Sequence, residues 1–293
     1  MENYKLIHKA DSAYPEAFRE LASAPETLYY YGNLDLIQYQ RNISIVGTRS
    51  PSLYGKHSTR ALVQSLKNYD ACIVSGLARG IDSEAHLSAI ESGLPTIAVI
   101  ASGLEAFNYT GTQRKIFNEM RRRDNCLILS EFKPQYGALT RNFPHRNRLI
   151  AALSPVTVVI EAGLKSGTLI TAEHALKQGR KVMALPGDIT KQSFRGSNKL
   201  LAENKAEPIY SISLLSKYLG LTEKQETQKR EVQNKTNMGQ KILDLVDIEP
   251  VSFDQLITEL GINQISLSTQ LSLLEVQGLL KREAGMKFSK AIV

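Results

Sequence analysis

Tryptophan is absent from the 293 residues, so any aromatic platform must come from the 8 Phe and 12 Tyr. Cysteine is almost absent too. The two that occur, Cys72 and Cys126, lie in the apolar runs ACIVSG and NCLILSE without the paired spacing of a metal site. They read as buried thiols of a reducing compartment, and no metal or cofactor is expected. No run approaches the roughly 18 apolar residues of a membrane helix. The opening MENYKLIHKA lacks the apolar stretch of a signal peptide. The expectation is a soluble, cytoplasmic protein that does not engage a membrane. Two phosphate-binding signatures are also missing. There is no Walker A sequence, which excludes ATP hydrolysis by that route. The turn after the first strand-like run reads Gly47-Thr48-Arg49-Ser50-Pro51, with the next glycine at Gly55. The dinucleotide fingerprint G-x-G-x-x-G is therefore absent as well.

What is present is an ordinary globular balance, with 42% hydrophobic and 22% charged residues and a net charge of +7. The placement of charge says more than its sum. Arg121, Arg122, Arg123, Lys133, Arg141, Arg146 and Arg148 face only Asp124 and Glu131 over residues 121–148. Such a patch either attracts phosphate or is a solvated face.

Residues 1–40 read as a short helix, a break at Pro25 and an extended segment ending at Gly32-Asn33: an N-terminal extension packing on the domain that follows. Residues 41–221 form that domain. Six short apolar runs, at 43–47, 72–76, 96–103, 126–131, 156–163 and 182–187, are rich in β-branched residues and apolar on both faces, as buried parallel strands are. Helical spacing fills about 55–68, 82–92, 112–122, 145–153 and 168–178. This alternation predicts an α/β fold, a Rossmann-like, doubly wound, mostly parallel sheet. Most of the runs end in glycine, where open α/β sheets bind ligands. Residues 222–237 are a polar linker with one aliphatic residue, Val232. Residues 238–293 then show an amphipathic helix, a second helix between Ser252 as cap and Gly261, a third to Gly278, and a strand in LLKRE. That pattern predicts a C-terminal winged-helix domain.

Four loops carry the candidate chemistry. In the first, Gly47 lets a ligand approach, and Arg49 either offers a planar fork to phosphate or a base, or staples the loop to a carboxylate. In the second, Gly76 and Arg79 with their neighbouring amides form either an anion nest or a tight turn, before a helix capped by Asp82. In the third, Phe143 stands before Pro144, with Arg146 and Arg148 following. This suits base stacking beside phosphate contacts, or a staple and an internal ion pair. His145 has no obvious partner. In the fourth, Ser166, Gly167 and Thr168 present amides and hydroxyls at a helix start. Glu161, just before, has no partner placed to complete a catalytic pair, and reads as a hydrogen-bonding group for amides or arginines.

Tyr14-Pro15, Gly32-Asn33, IVGTR (45–49), Tyr54-Gly55, VSGLARGID (74–82), SEF (130–132), FPHRNRLIA (143–151), SGTLITA (166–172) and ALPGDI (184–189) occur in an order that resembles the DprA/Smf family of DNA-processing proteins. The resemblance runs over about residues 12–220. It implies a non-catalytic protein whose Rossmann-like domain binds single-stranded DNA, forms a homodimer, and helps load the RecA recombinase during natural transformation. Carried onto this sequence, the DNA pocket would use Gly47, Arg49, Gly76, Arg79, Phe143, Arg146, Arg148 and Ser166 to Thr168. Family members often read Tyr-Pro with a basic residue after the third strand. Here the stretch is Phe107-Asn108-Tyr109-Thr110 with Arg114 and Lys115 beyond, and the Pro is missing.

Two rivals differ in class. A nucleotide-processing hydrolase on a similar scaffold would need G-G-x-G-T-x-x-E, but the loop at 163–170 ends in Ile170 rather than Glu. A winged-helix transcription regulator would need cations on its recognition helix, but residues 266–278 contain no Lys or Arg.

Overall fold

The computed structural model describes residues 4–38, 41–107, 111–211, 213–220, 238–246, 250–283 and 285–291. The linker read at 222–237 lies outside them. The chain divides into two compact units, Met1–Glu223 and Lys224–Val293. No helix of the described residues is long and apolar enough to cross a membrane.

The first unit is built on a nine-stranded sheet. Its strands are β1 (Lys5–His8), β2 (Thr27–Gly32), β3 (Asn42–Val46), β4 (Cys72–Ser75), β5 (Thr96–Val99), β6 (Cys126–Ser130), β7 (Val156–Val159), β8 (Lys181–Ala184) and β9 (Glu207–Pro208). Across the sheet they run β1-β2-β6-β5-β4-β3-β7-β8-β9. The strands from β6 to β9 in that order are parallel, and β1 and β2 add an antiparallel edge beside β6. The segment before residue 41 is thus part of the sheet, not only packed against it. All residues of β3 to β7 are buried, because helices cover both faces.

Alternate strand residues feed opposite layers, as the two-residue period of a strand requires. Val46, Val74, Ile97 and Leu127 pack with α5 (Asn142–Ala152) and α6 (Gly167–Lys177). Ile45, Ile73 and Val158 pack on the other side with α2 (Leu53–Ser65) and α3 (Ile81–Glu91). On that same side Ala98 and Ile128 pack with α4 (Thr112–Met120). Short α1 (Glu16–Arg19), α7 (Arg195–Ala202) and α8 (Leu214–Tyr218) complete the unit. The chain builds outward from β3 to β6, then crosses back through α5 to β7 on the other flank of β3. The carboxyl ends of β3 and β7 therefore form the switch point at which such sheets bind ligands.

One capping expectation is corrected. The N-cap of α3 is Gly80, at φ 92°, and Asp82 sits inside the first turn. A Cβ on Gly80 would lie 2.3 Å from the Thr48 carbonyl oxygen, so both conformation and space demand glycine.

The second unit contains a helix α9 over 238–245, β10 (Val251–Ser252), α10 (Phe253–Leu260), α11 (Gln264–Val276), β11 (Leu280–Glu283) and β12 (Lys287–Lys290). Ser252 caps α10 in a reciprocal capping box with Gln255, and Gly261 closes it in the left-handed conformation. Ile242, Leu256, Leu267, Leu271 and Phe288 form a core of its own. The three helices and antiparallel wing are the winged-helix arrangement anticipated from the sequence.

Candidate nucleic-acid interface

In a dinucleotide-binding fold the helix after the first strand of the switch receives a phosphate at its N-terminus. Here that place is filled from within. The Glu161 carboxylate, at the end of β7, accepts from the Ser52 amide at 2.9 Å and the Ser52 hydroxyl at 2.8 Å, at the start of α2. A Cβ on Gly55 would come within 2.3 Å of the same oxygen. Glu161 is fully buried and serves the start of α2 rather than the open space.

The open space lies beside it, as two clefts that share Arg49. One, of about 370 Å³, is lined by Gly47, Phe143, Arg146, Asn147 and the Ser166–Thr168 turn. The other, of about 640 Å³, is lined by Lys56, Arg79, Gly80 and Gln113. Arg49 is exposed, and its guanidinium stands 4.7 Å from the centre of the Phe143 ring. That is a cation–π contact rather than a carboxylate staple. The face that sequence reading assigns to a base is thus covered by Arg49. Arg79 braces the first loop by donating to the Arg49 carbonyl at 3.2 Å and the Ser50 hydroxyl at 3.4 Å. Leu77 takes φ 53°, a sparsely populated conformation, and its carbonyl accepts from Gln113 at 2.8 Å. At the fourth loop the Ser166 hydroxyl caps α6 by accepting from the Thr168 amide at 3.2 Å.

The other expected contacts divide. Gly76 does not line either cleft. It is a packing glycine, since a Cβ there would lie 2.7 Å from both Arg146 Nη2 and Asp82 Oδ2. Arg146 borders the smaller cleft but is buried, donating to the Gly76 carbonyl at 2.9 Å, to the Val99 carbonyl, and to Asn147 Oδ1 at 3.2 Å. It ties together the ends of β4 and β5. Arg148 is a correction. It points to the far side of α5, where it forks onto Glu131 at 2.7 and 2.6 Å and onto the Ser23 carbonyl at 2.9 Å. Residues 146 and 148 are two apart, and two residues on a helix turn the side chain by about 200°. His145, read as partnerless, stands 3.3 Å from the same Glu131.

Buried ionisable groups follow their surroundings. Burial raises the Asp82 carboxyl pKa against the opposing pull of Arg146 and the amides of Ala78 and Gly76. Burial, and then Arg146, push His86 down to about 3. Burial raises Cys72 well above an ordinary thiol and Cys126 to about 11, so both are inert thiols. Lys56, Gln113 and Asn147 line the clefts and were not singled out in the sequence. Asn147 was hidden between two arginines, and Gln113 sits at a helix start that no motif marks.

An open sheet whose glycine-rich loops gather cations, amides and an aromatic ring at the switch point, followed by a winged helix, suits phosphate groups, while the helix start that seats a dinucleotide in such folds is filled by Glu161. Comparison with known proteins places the chain further. Residues 5–220 match the model of the DNA recombination-mediator protein A family, and residues 226–286 match the DprA winged helix domain. The DNA processing protein DprA of Streptococcus pneumoniae is 40% identical over 66% of this chain and 67% of its own length. Protein Smf of Synechocystis is 35% identical over 99% of this chain and 81% of its own. The X-ray structure of the S. pneumoniae protein superposes with a TM-score of 0.67 at 37% identity, covering 73% of this chain and 74% of that one. DNA processing protein A of Helicobacter pylori, solved for its single-stranded DNA binding mode, gives 0.66 at 32% identity over 74% and 96%. The chain belongs to the DNA recombination-mediator protein A family, the DprA/Smf DNA-processing proteins.

Proposed function

We propose that this protein binds and protects single-stranded DNA in the two clefts joined by Arg49, without catalysis, and helps load RecA onto that strand during natural transformation. The carrying observation is the exposed Arg49 resting on Phe143, between a turn of helix-start amides on one side and Arg79 and Lys56 on the other. On binding, Arg49 leaves the ring for a phosphate and frees Phe143 to stack an unpaired base. Gly47, Arg79 and Ser166 to Thr168 complete the contact set. Arg146 and Gly76 shape it from behind. The single-strand binding mode described for the H. pylori protein supports the same reading at 32% identity.

The protein acts in the cytoplasm as a homodimer. Ile209 and Leu215 of the stretch 208–215 pack into the unit's own core, which leaves Tyr210, 79% exposed, as the candidate contact there. The winged helix serves partners or architecture more than duplex DNA, since α11 carries no cation. Titrating single-stranded and duplex oligonucleotides over a salt series tests the reading. Single strands should bind far more tightly, with log K falling against log salt at a slope of roughly −2 to −3 for three or four phosphates. Equal affinity for duplex, or a flat salt response, rejects it.

A further inference from the structure

The larger strand-end cleft and a separate third cleft sit at opposite ends of one helix. Gly111, Thr112 and Gln113, where α4 begins, line the cleft that holds Arg49 and Arg79. Past its other end, Arg121, Arg122 and Arg123 line a cleft of about 510 Å³ with Lys5, Tyr30 and Tyr31, against the edge strands. Four cations and one carboxylate, Asp124, line it. Arg123 is paired with Glu119 at 2.8 Å, and Arg121 stands 4.1 Å over the Tyr31 ring. Lys5 and Arg122 are exposed.

The face of α4 between the clefts is basic as well. Ile116, Phe117 and Met120 are its buried side. At 100° per residue, the opposite side carries Arg114, Lys115, Asn118 and Arg122. All four are exposed; the carboxylate beside them on the helix, Glu119, is held by Arg123 at 2.8 Å. With Glu119 taken up by Arg123, Lys115 and Arg122 leave that face net positive. The cleft beyond it is polar and cationic with tyrosine rings, which suits phosphates and bases and offers little to an apolar peptide.

We infer that α4 is a rail for single-stranded nucleic acid, carrying the strand from the Arg49 cleft along Lys115 and Asn118 to a second site formed by Lys5, Tyr30 and Arg122. This rests on the single-strand reading above and extends it. The nine residues of α4 cover about 13 Å, the length of about four phosphates at duplex spacing.

The test uses the full-length protein and fluorescent thymidine oligomers of about 6 and about 12 nucleotides, within the usual range for a single-strand site. Wild type should bind the longer oligomer about tenfold more tightly, with a salt slope steeper by about 1.4 to 2, as two or three added phosphates require. The double variant Lys115→Glu, Arg122→Glu should bind the short oligomer as wild type does and lose the gain with length. A charge-matched control, Lys67→Glu with Lys217→Glu, alters two exposed lysines elsewhere and should keep the gain. The rail is overturned, and the strand-end site kept, if wild type gains nothing with length, if the rail variant keeps the gain, or if the control loses it equally. It is also overturned if a glutamate-rich peptide binds wild type but not the rail variant while DNA affinity ignores length, since an acidic protein segment is then the occupant. If wild type fails to bind even the short oligomer, the strand-end site itself falls, and the path with it.

Discussion

The two sides of α5 treat arginine in opposite ways. On the sheet-end side, Arg146 is 3% exposed and holds backbone carbonyls, and the charge offered to a ligand stands in front of it on Arg49. On the far side, Arg148 is 5% exposed and is consumed by a forked pair with Glu131 and by Ser23. One motif, FPHRNRLIA, therefore lines the proposed binding cleft and also supplies an internal clamp. Its basic residues form a single patch in sequence and two separate devices in space. Positive charge marks a nucleic-acid site only where its donors are left unspoken for.

The largest expected effect breaks the clamp. Arg148→Ala leaves the Glu131 carboxylate, about nine-tenths buried, without its main partner. Removing one member of a buried pair costs about 3–5 kcal/mol. Urea unfolding should show that loss, while the fraction still folded binds single strands as before. Reduced affinity with normal stability would return Arg148 to the DNA surface.

Arg49 should show the reverse. A charged hydrogen bond to phosphate is worth about 1.5–3 kcal/mol. Arg49→Ala should then weaken single-strand binding about ten- to a hundredfold, and Arg49→Glu further. Its side chain is exposed and rests on the Phe143 ring, so melting should change little in either variant. Undiminished DNA binding by folded Arg49→Glu would sink the proposed site.

His86 sharpens the Arg146 side. The Thr96 hydroxyl donates to the Ile73 carbonyl at 2.8 Å, so it accepts from His86 Nδ1, also at 2.8 Å. That leaves Nε2 buried without a partner among the described residues. The folded ring resists protonation until about pH 3, whereas an unfolded histidine takes a proton near 6.5. Between those values the unfolded chain binds more protons, so this stability is present above 6.5 and is lost as pH falls. The loss is about 1.4 kcal/mol per pH unit, or about 2 kcal/mol by pH 5. His86→Leu should narrow the gap between neutral and pH 5 melting by that amount. An unchanged acid slope would show that the ring already titrates in the fold.

The sheet was legible because its central strands are apolar on both faces. The winged helix was legible through Ser252 and Gly261. The antiparallel edge was not, because the alternation of TLYYYG sets a partly buried strand without naming its neighbour. In the candidate site, the meeting of Arg49, Phe143 and the Ser166 turn around one cleft follows from the strand-end loops that carry them. The direction of Arg148 depends on where Glu131 and Ser23 arrive, 17 and 125 residues away in sequence. The filling of the α2 N-terminus by Glu161 depends on a contact across 109 residues. Neither distance is written in a local motif.

Two glycines that look alike in sequence give the finest version of the comparison. Gly76 is enclosed by the protein, with Arg146 and Asp82 atoms 2.7 Å from where a Cβ would lie. Gly167 begins α6 at the mouth of the smaller cleft, and a Cβ there would meet nothing within 4 Å. Its backbone is not in the left-handed region, so alanine is accommodated without strain. If internal packing explains a glycine, its loss shows in stability, and Gly76→Ala should destabilise by about 1–3 kcal/mol through overpacking. If a ligand explains it, the loss shows only in binding. Gly167→Ala should melt at the same temperature or slightly higher, because alanine favours helix and restricts the unfolded chain. Its methyl should hold a phosphate away from the helix-start amides, and one weakened hydrogen bond of about 0.5–1.5 kcal/mol lowers affinity by roughly two- to tenfold. Salt dependence should stay as in wild type, since no charge is removed. Gly167→Ala with unaltered single-strand affinity would mean that the strand does not reach the α6 N-terminus, and the contact set would shrink to the loops around Arg49.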